Sequence, residues 1–560
     1  MRKTVFSGRA VLSAALLLSS METFAAAPAV IAQTAPVAAV TKSAPLPKII
    51  NKDGHYALLV DGKPYLMLGV QANNSSAWPD YLGKVWPAAE TLHANTVELP
   101  IYWEQLEPAE GKFDFSLVDL ILKQAREHKV HLVLLWFGTW KNASPHYTPE
   151  WIKLHQEKYP ILVNKDGKTV DSASIFAADG TLNAAWLNAD KAAFTALMRH
   201  LKQADPQHTV LFVQVENESG VWGAVRDYSP GAEKAFAEQV PDKLVKGLGK
   251  QSGTWNEVFG EDAGERFQTW FIARYIEQVA AAGKAENPLP MYVNAALRDP
   301  FNPGHAPSYE SGAPTDNEIG LWKIAAPSID LIAPDIYIPE YAKYMKSIDF
   351  YNRKDNPLLI PETGNPAIYA HYVYAAIGNG AIGWAPFGLD FSRYSNQIEG
   401  PEAMEPSALK PFAQQFELLA PIAGKLAEWN LEGKVRGASE APENHRQTLS
   451  FDRWDAVLQY GLPSFGDWMP PKGNTPADGG VVIAQLGPDE FLVAGHHLRV
   501  DFKPTYAPEK KRYWLAVEEG EYDATGKWKT ARIWNGDQTD YGLNLKSDEN
   551  ILLRVRLTVF

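Results

Sequence analysis

The feature that most constrains this chain is a regular alternation of short apolar runs with segments of helical pattern. An opening hairpin is predicted around Asp61-Gly62-Lys63-Pro64, and the helical segments include SLVDLILKQAREHKV (116–130). Strand–helix alternation in eight units predicts an α/β fold, a closed parallel (β/α)8 TIM barrel, rather than an open sheet. The predicted strands span residues 65–70, 95–101, 131–137, 210–216, 290–296, 330–337, 357–362 and 381–387.

From Trp429 the sequence changes to alternating strands separated by turn residues, such as GGVVIAQL and EFLVAGHHLRVDF. This pattern is typical of an antiparallel, jelly-roll-like β-sandwich. We therefore expect a (β/α)8 barrel domain over 48–428 and a β-sandwich domain over 429–560. The stretch 409–429 is expected to be the last barrel helix and to join the two.

The N-terminus predicts export. Residues 1–27 combine basic residues, an apolar run that is too short to span a membrane, and small residues suited to cleavage, so they are interpreted as a signal peptide. Residues 28–47 are rich in Ala and Pro and are interpreted as a linker. The chain has no cysteine, so it can form no disulfide and no lipid anchor at cysteine. We expect a protein without a membrane anchor, in the periplasm or outside the cell.

The formal charge of −13 argues against nucleic acid or an anionic membrane as the main partner. No nucleotide-binding loop and no metal-ligand pattern stands at the predicted strand ends, so no cofactor is predicted. The oligomeric state is left open by the sequence.

In a barrel of this kind the active site lies at the carboxyl ends of the strands. The residues at those ends are carboxylates, amides and aromatic rings. They are Tyr102, Trp103, the stretch Trp136 to Asn142 with Trp140 in it, Glu216, Asn217, Glu218, Asn294, Asp335, Tyr337, Glu362 and Trp384.

Two carboxyl groups facing each other across a cleft are what glycosidic bond cleavage requires. Glu218 and Glu362 end strands that lie across the barrel mouth from each other. Trp384 could stack on a sugar face, and Asn217 could bond a hydroxyl. Strand alternation does not choose between Glu216 and Glu218, because both are expected to project to the same side.

At this point the residues resemble a known family. VQVENESG (213–220) is similar to the QVENEYG signature of glycoside hydrolase family 35, the retaining β-galactosidases, and YWEQLEPAEGKFDF (102–115) is similar to a second motif of that family. LLIPETG (358–364) resembles the nucleophile segment of the wider clan. The resemblance covers about residues 50 to 420.

The resemblance implies that Glu218 is the general acid/base and Glu362 the nucleophile, with Asn217 on the sugar 2-hydroxyl and Tyr337 orienting Glu362. It leaves Glu216 as an acid held by hydrogen bonds below the site. For a retaining enzyme, the two catalytic carboxyl groups should lie about 5–5.5 Å apart.

The sequence departs from the family where the sugar is recognised. The Cys-Ala-Glu-Trp stretch after strand three is replaced by WFGTWKNAS (136–144), where Trp140, Lys141 and Asn142 are the candidate substitutes. Tyr102, Asn294 and Trp384 are candidate sugar contacts, with packing as the alternative. For Asp335 the alternative is a helix cap.

Together these features predict a secreted retaining exo-β-galactosidase. It would act on oligosaccharides or polysaccharide side chains, such as plant cell-wall glycans like xyloglucan. A retaining β-glycosidase for glucosides, arabinosides or mannosides is the alternative, and a non-catalytic sugar-binding protein is the alternative of another class. The β-sandwich is expected to support the barrel, with carbohydrate binding as its other possible role.

Overall fold

The computed structural model describes residues 44–392, 405–461 and 470–560. The signal peptide predicted over 1–27 and most of the linker predicted over 28–47 lie outside the described residues. Within the described part of the chain, no helix combines the length and the apolar character needed to cross a bilayer.

The first strands form the predicted hairpin and then enter the barrel. Asp61 and Gly62 have φ angles of 51° and 75°, as a two-residue hairpin turn with an Asp-Gly sequence requires. The strands up to the end of the barrel are β1 (Lys48–Lys52), β2 (His55–Val60), β3 (Lys63–Tyr65), β4 (Met67–Gln71), β5 (Thr96–Tyr102), β6 (His131–Lys141), β7 (Ile161–Val163), β8 (Thr169–Ala173), β9 (Val210–Asn217), β10 (Met291–Ala296), β11 (Leu331–Ile336), β12 (Leu359–Ile360), β13 (Glu362–Thr363) and β14 (Gly383–Trp384).

The barrel is a closed ring of parallel strands. Its order is β14, β4, β5, β6, β9, β10, β11 and β13, and β12 pairs back to β14. Pro361 separates β12 from β13, because proline has no N–H to donate to the ladder, and the two pieces together fill the seventh strand position. Over the described residues the ring therefore has eight strand positions, which confirms the predicted TIM barrel.

Helices cover the outside of the ring. The segment 409–429, expected as one helix, is divided into two α-helices at Pro421, which lacks the N–H that an uninterrupted helix needs. The α-helices are α1 (Pro79–Thr91), α2 (Trp103–Leu106), α3 (Ser116–Glu127), α4 (Glu150–Lys153), α5 (Ala184–Ala204), α6 (Pro230–Phe236), α7 (Asp242–Gly247), α8 (Trp255–Phe259), α9 (Ala263–Glu286), α10 (Ile319–Ala325), α11 (Tyr341–Tyr351), α12 (Tyr372–Gly378), α13 (Pro406–Leu419) and α14 (Ala423–Leu431).

Two antiparallel sheets follow the barrel, as predicted. One has the order β15, β18, β19, β24, β21, β22, and the other β16, β17, β20, β23. Alternate apolar residues of both sheets, such as Ile483 and Leu458, share one core, which makes the pair a sandwich. The strands are β15 (Val435–Ser439), β16 (Arg446–Ser450), β17 (Trp454–Gln459), β18 (Gly480–Gly487), β19 (Glu490–His496), β20 (Leu498–Pro504), β21 (Arg512–Tyr522), β22 (Trp528–Ile533), β23 (Leu543–Leu545) and β24 (Ile551–Val559).

The sandwich packs directly on α12 of the barrel. A Cβ atom at Gly437 would lie 2.4 Å from the carbonyl oxygen of Tyr374, so only glycine permits this approach. The Ser439 hydroxyl donates to the carbonyl of His371 at 2.6 Å, and its oxygen accepts the N–H of Ala375 at 3.2 Å. This close contact favours a supporting role for the sandwich.

Candidate active site

Three acidic side chains converge at the carboxyl ends of the barrel strands. We call Glu218, Asp335 and Glu362 the mouth cluster: Glu218 follows β9, Asp335 lies in β11 and Glu362 in β13. One carboxyl oxygen of each lies within 4.8 Å of those of the other two. Glu218 is 9% exposed and Glu362 is 5% exposed, so the cluster is buried yet retains some access to solvent. The structure thus brings together the two predicted glutamates and adds a third acid.

Glu362 is held by two hydrogen-bond donors. The Tyr337 hydroxyl donates to Oε1, and the Gln71 amide donates to Oε2 at 3.0 Å. Tyr337 orients Glu362 as expected, whereas Gln71, at the end of β4, was not among the predicted site residues.

The surroundings of Glu218 favour its protonated form. Burial and the nearby charge of Glu362 raise the pKa of Glu218 to about 7, while Lys141 and a hydrogen bond with Asp335 partly offset that rise. A glutamate with this pKa still carries its proton near neutral pH and can act as a general acid. Of the two predicted catalytic residues, Glu218 is thus the one whose surroundings raise its pKa.

An amide and a lysine stand beside the acids. Lys141 donates from Nζ to Oδ1 of Asn217 at 2.8 Å and also bonds Asn142, whose side chain is exposed. Because Oδ1 of Asn217 is occupied in this way, its Nδ2 group is the end left to bond a ligand, and that buried nitrogen has no partner among the described residues. Asn217 thus presents a donor, as bonding a sugar hydroxyl oxygen requires.

A bulge in β6 explains how Lys141 reaches the mouth. Trp136 pairs with Val215 and Lys141 with Asn217, so β6 carries three extra residues between these two pairs. The bulge turns the extra residues outward and returns Lys141 to the site. Gly138 is required within it, because a Cβ atom there would lie 2.3 Å from the indole nitrogen of Trp136.

Behind the bulge lies a second group of buried polar residues. We call Trp136, Thr139, Asp190, Glu216 and Tyr275 the wall cluster. Asp190, from α5, accepts hydrogen bonds from Trp136 Nε1 at 2.9 Å and from the Thr139 hydroxyl at 2.7 Å. Glu216 accepts the N–H of Trp140 at 2.7 Å, and burial together with the nearby charge of Asp190 raises its pKa. Glu216 is thus an acid held by hydrogen bonds, as the resemblance implied.

The expectation that Glu216 and Glu218 project to the same side is wrong. Their φ angles are 64° and 44°, in the left-handed region that side chains other than glycine rarely adopt. The regular alternation of the strand ends there, so Glu216 joins the wall cluster while Glu218 joins the mouth cluster. Such backbone strain costs about 1–3 kcal/mol per residue and is found preferentially at functional sites.

Three candidate sugar contacts lie in the core instead of at the barrel mouth: Trp140, Trp384 and Tyr102. Trp140 is fully buried and packs edge-on against Tyr275 of α9, because the bulge turns it outward. Trp384 packs against Phe412 of α13, and its indole N–H donates to the Tyr344 hydroxyl at 3.1 Å. The proposed sugar platform at Trp384 is therefore wrong, since the side chain points away from the barrel axis into the helical layer.

Tyr102 is also buried, and it supports an aromatic wall without reaching its surface. Its ring stacks between Trp78 and Tyr147, with centroids 5.9 and 5.1 Å away. Its hydroxyl accepts the N–H of Ala77 at 3.1 Å. Tyr102 thus supports the rings of Trp78 and Tyr147, which are partly accessible to solvent.

Asn294 and Asp335 connect to Glu218 and hold its position. Asn294 Oδ1 accepts the backbone N–H of Glu218 at 2.9 Å, and its Nδ2 donates to Asp335 Oδ2 at 2.7 Å. Asn294 was expected to contact sugar, but both ends of its amide are engaged within the protein. The helix-cap interpretation of Asp335 is wrong, because its carboxyl group belongs to the mouth cluster.

Sequence reasoning also missed Glu310, an acid near the site. Glu310, from the long connection between β10 and α10, is buried and accepts the indole N–H of Trp222 at 2.7 Å. Burial and the charge of Glu218 raise the pKa of Glu310. A Cβ atom at Gly220 would lie 2.9 Å from that of Glu310, so glycine permits the approach. Glu310 lies in a loop away from any strand end, so no sequence pattern marked it as a site residue.

A cavity of about 640 Å³ opens beside the end of β4. Trp78 and Tyr81 are each 42% exposed in its lining. Asn73, two residues after the Gln71 that holds Glu362, lines it as well. The full lining is Asn73, Asn74, Ser75, Ser76, Trp78, Tyr81, Tyr147 and Ser392.

Two family models match separate parts of the chain. Residues 82–282 match the glycoside hydrolase family 42 model, described as beta-galactosidase. Residues 412–546 match a domain of unknown function, DUF5597. The family model that matches the barrel is thus that of family 42, and the assignment to family 35 stays a prediction.

Individual relatives bear the same description. A curated beta-galactosidase of Xanthomonas manihotis is 29% identical over 198 residues, which cover 33% of this chain and 29% of that protein. A solved beta-galactosidase from Rahnella sp. R3 is 17% identical, covers 65% of this chain and 58% of its own, and has a TM-score of 0.43. A solved beta-galactosidase from Bacillus circulans sp. alkalophilus is 10% identical, covers 88% of this chain and 99% of its own, and has a TM-score of 0.49.

The chain spans under a third of the length of the curated relative that it matches. The matched segment 82–282 includes Glu218, Asn217 and Lys141. It is this part of the barrel that is similar to beta-galactosidases, while the C-terminal sheets are similar to a domain without an assigned function.

Proposed function

We propose that this protein is a retaining exo-β-galactosidase with Glu218 as general acid/base and Glu362 as nucleophile. The observation that carries the proposal is the distance between these two side chains, whose nearest oxygens lie within 4.8 Å. Retaining glycosidases hold their carboxyl groups about 5–5.5 Å apart, whereas inverting enzymes need about 6.5–9.5 Å to admit a water molecule.

The first step uses the contrast between the two carboxyl groups. A carboxylate oxygen of Glu362 attacks the anomeric carbon, and the bond from that carbon to the leaving oxygen breaks. The leaving oxygen takes the proton of Glu218. Glu362 becomes an ester as Glu218 becomes a carboxylate, so the net charge of the pair does not change.

The second step returns both groups to their starting state. With Glu362 esterified, its charge no longer opposes ionisation of Glu218, which can then accept a proton from water. The water oxygen bonds the anomeric carbon, and the bond to Glu362 breaks. Throughout, Asn217 Nδ2 is the donor placed to bond the sugar 2-hydroxyl, an interaction that strengthens in the transition state.

The stereochemistry of the product tests this assignment. Nitrophenyl β-galactoside is hydrolysed in deuterated water, and the first sugar released is followed by proton NMR. We expect the β-anomer to appear before mutarotation. Initial release of the α-anomer would exclude Glu362 as nucleophile and indicate an inverting enzyme.

The identity of the sugar is tested separately. The description of the matched family supports galactose, but Lys141 and Asn142 occupy the place where family 35 has an acid that holds galactose hydroxyls. A retaining enzyme for another β-glycoside is therefore the second candidate. In a panel of nitrophenyl β-glycosides, preferential release from the galactoside supports the first proposal. Preference for a glucoside, arabinoside or mannoside supports the second.

The 640 Å³ cavity suggests where the remainder of an oligosaccharide would bind. Exposed indole and phenol rings such as Trp78 and Tyr81 stack on the apolar faces of sugars. Trp78→Ala should raise KM for a galactose-capped oligosaccharide by about tenfold and leave KM for the nitrophenyl galactoside unchanged. An equal effect on both substrates would exclude a separate subsite.

We also propose that the protein is exported. The basis is the N-terminal sequence, in which basic residues precede an apolar run and small residues. Cell fractionation, with N-terminal sequencing of the mature chain, checks this. A chain that keeps Met1 in the cytoplasm would contradict it.

A further inference from the structure

Asp335 has no part in the two-carboxylate scheme, yet it lies at its centre. Its side chain is buried, and one of its oxygens is within 4.8 Å of oxygens of both Glu218 and Glu362. A third acid at this distance must either add a second negative charge or carry a proton. The following inference rests on the proposed function, because it concerns the state of the acid/base residue.

The amide of Asn294 fixes one side of Asp335. Asn294 Oδ1 accepts the N–H of Glu218, so the other end of this amide is its NH2 group, which donates to Asp335 Oδ2. Asp335 Oδ1 is enclosed and accepts no bond from any donor among the described residues. An ionised oxygen without a donor in such a place is costly, whereas a protonated one supplies its own donor.

The contact with Glu218 leads to the same conclusion. A carboxyl oxygen of Asp335 lies within 4.8 Å of one of Glu218, and both side chains are buried. Two carboxylates this close repel each other, and two carboxyl groups can hydrogen-bond only if at least one is protonated, because a carboxylate is an acceptor only. The arrangement therefore favours a proton on the pair.

The surrounding charges disfavour a second carboxylate. Burial, with the charges of Glu362 and Glu218, raises the pKa of Asp335, and Lys141 opposes this only in part. The titratable groups that interact with Asp335 are Glu218, Glu362, Lys141, Tyr292, Tyr337 and Tyr351. Lys141 is the cation among them, and it already bonds Asn217.

We propose that Asp335 is a positioning residue that keeps its proton throughout the reaction and donates a hydrogen bond to Glu218. When Glu218 gives its proton to the leaving oxygen, the new carboxylate receives the bond from Asp335. The proton of Asp335 is not transferred in either step. Its effect is to make Glu218 a stronger acid than burial alone would allow.

Two variants at this position separate the possibilities. Asp335→Asn keeps the shape and an N–H donor, so kcat/KM for nitrophenyl galactoside should stay within about fivefold of wild type. Asp335→Ala loses the donor, and kcat/KM should fall by about 10- to 100-fold. The loss should be smaller for a dinitrophenyl galactoside, whose leaving group needs little acid assistance.

The pH profile distinguishes a protonated from an ionised Asp335 by sign. Loss of a neutral donor in Asp335→Ala raises the pKa of Glu218, so the alkaline limb of kcat/KM should move to higher pH. Loss of a negative charge would lower that pKa and move the limb to lower pH. A shift to lower pH, or an Asn variant as impaired as the Ala variant, would overturn the proposal.

A measurement without substrate separates failure of this inference from failure of the proposed function. If Asp335 is protonated in the folded protein, it binds a proton that the unfolded chain loses above its ordinary pKa. The free energy of unfolding of wild type should then fall relative to Asp335→Asn between pH 5 and 8. A constant difference would mean that Asp335 is ionised in the fold, whether or not the protein cleaves glycosides.

Discussion

The mouth cluster and the wall cluster are alike in composition and differ in accessibility. Each contains two carboxyl groups that lie near each other, Glu218 with Asp335 and Glu216 with Asp190, and burial raises the pKa of Glu218 and of Glu216. Both glutamates have a positive φ angle and stand two residues apart in the chain. A buried acid with a raised pKa is thus not by itself a sign of catalysis.

What separates the clusters is the set of donors around them. In the wall cluster, the Trp136 indole and the Thr139 hydroxyl already donate to Asp190, and Glu216 is 1% exposed. In the mouth cluster, Asn217 presents a buried Nδ2 group that has no partner among the described residues, and Glu218 is 9% exposed. A catalytic site needs both an accessible acid and donors left free for a ligand.

The largest expected effect is at Glu362, the proposed nucleophile. Glu362→Gln should lower kcat by about 10⁴-fold or more, because no covalent intermediate can form. The free energy of unfolding should change little, since the Gln carbonyl oxygen can accept the bond of Gln71 while its NH2 group donates to the Tyr337 hydroxyl oxygen. Steady-state kinetics and urea denaturation measure the two quantities. Azide should restore activity to Glu362→Ala and give an α-galactosyl azide.

Glu218→Gln and Glu216→Gln form a matched pair that tests the comparison directly. The first should lower kcat/KM for poor leaving groups by about 10²–10⁴-fold, because Gln has no proton to give. The second should keep kcat/KM within about fivefold of wild type, because Gln retains the size and the hydrogen-bonding capacity of the protonated acid. Equal losses in the two variants would contradict the division into two clusters.

In wild type, the activity of the mouth cluster should fall as pH rises above about 7, when Glu218 loses its proton. The alkaline limb of kcat/KM measures this directly. Glu216→Gln should leave the limb in place, because the wall cluster does not take part in the reaction.

Disrupting the wall cluster should lower the free energy of unfolding. Asp190→Ala removes the acceptor of Trp136, Thr139 and Tyr275, and we expect the free energy of unfolding to fall by about 3 kcal/mol. Urea denaturation measures it. A loss below about 1 kcal/mol would mean that these buried donors find other partners.

The pH dependence of stability sharpens the same point. Glu216 keeps its proton in the fold, while the unfolded chain loses it above its ordinary pKa, near 4.5. The unfolded state then binds fewer protons, so the stability of wild type falls as pH rises above about 4.5. Glu216→Gln should weaken this dependence between pH 5 and 8, and an unchanged slope would contradict a protonated Glu216.

The smallest expected effect is at Lys141. Lys141→Met removes a charge that lowers the pKa of Glu218, so the alkaline limb should move to higher pH. Loss of the bond to Asn217 should also lower kcat/KM by about tenfold. Lys123→Met, on the exposed face of α3, is the matched control and should change neither quantity. A limb that does not move would show that Lys141 has no influence on Glu218.

The sequence by itself determined the barrel, the C-terminal sandwich and the two glutamates that we propose as catalytic. Strand and helix periodicity are local properties, and the carboxyl ends of parallel strands must meet at one end of a closed barrel. This geometry brings Glu218 near Glu362 although they are far apart in the chain.

Only the tertiary structure decided which polar and aromatic side chains face the mouth. The bulge in β6 and the positive φ angle at Glu216 reverse the direction expected from strand alternation, so Trp140 and Glu216 point outward and Lys141 points inward. Groups distant in sequence raise the pKa values of Asp335 and Glu310. The direction of a side chain depends on local backbone geometry, and its charge state depends on neighbours that the fold brings together, so neither quantity can be derived from periodicity.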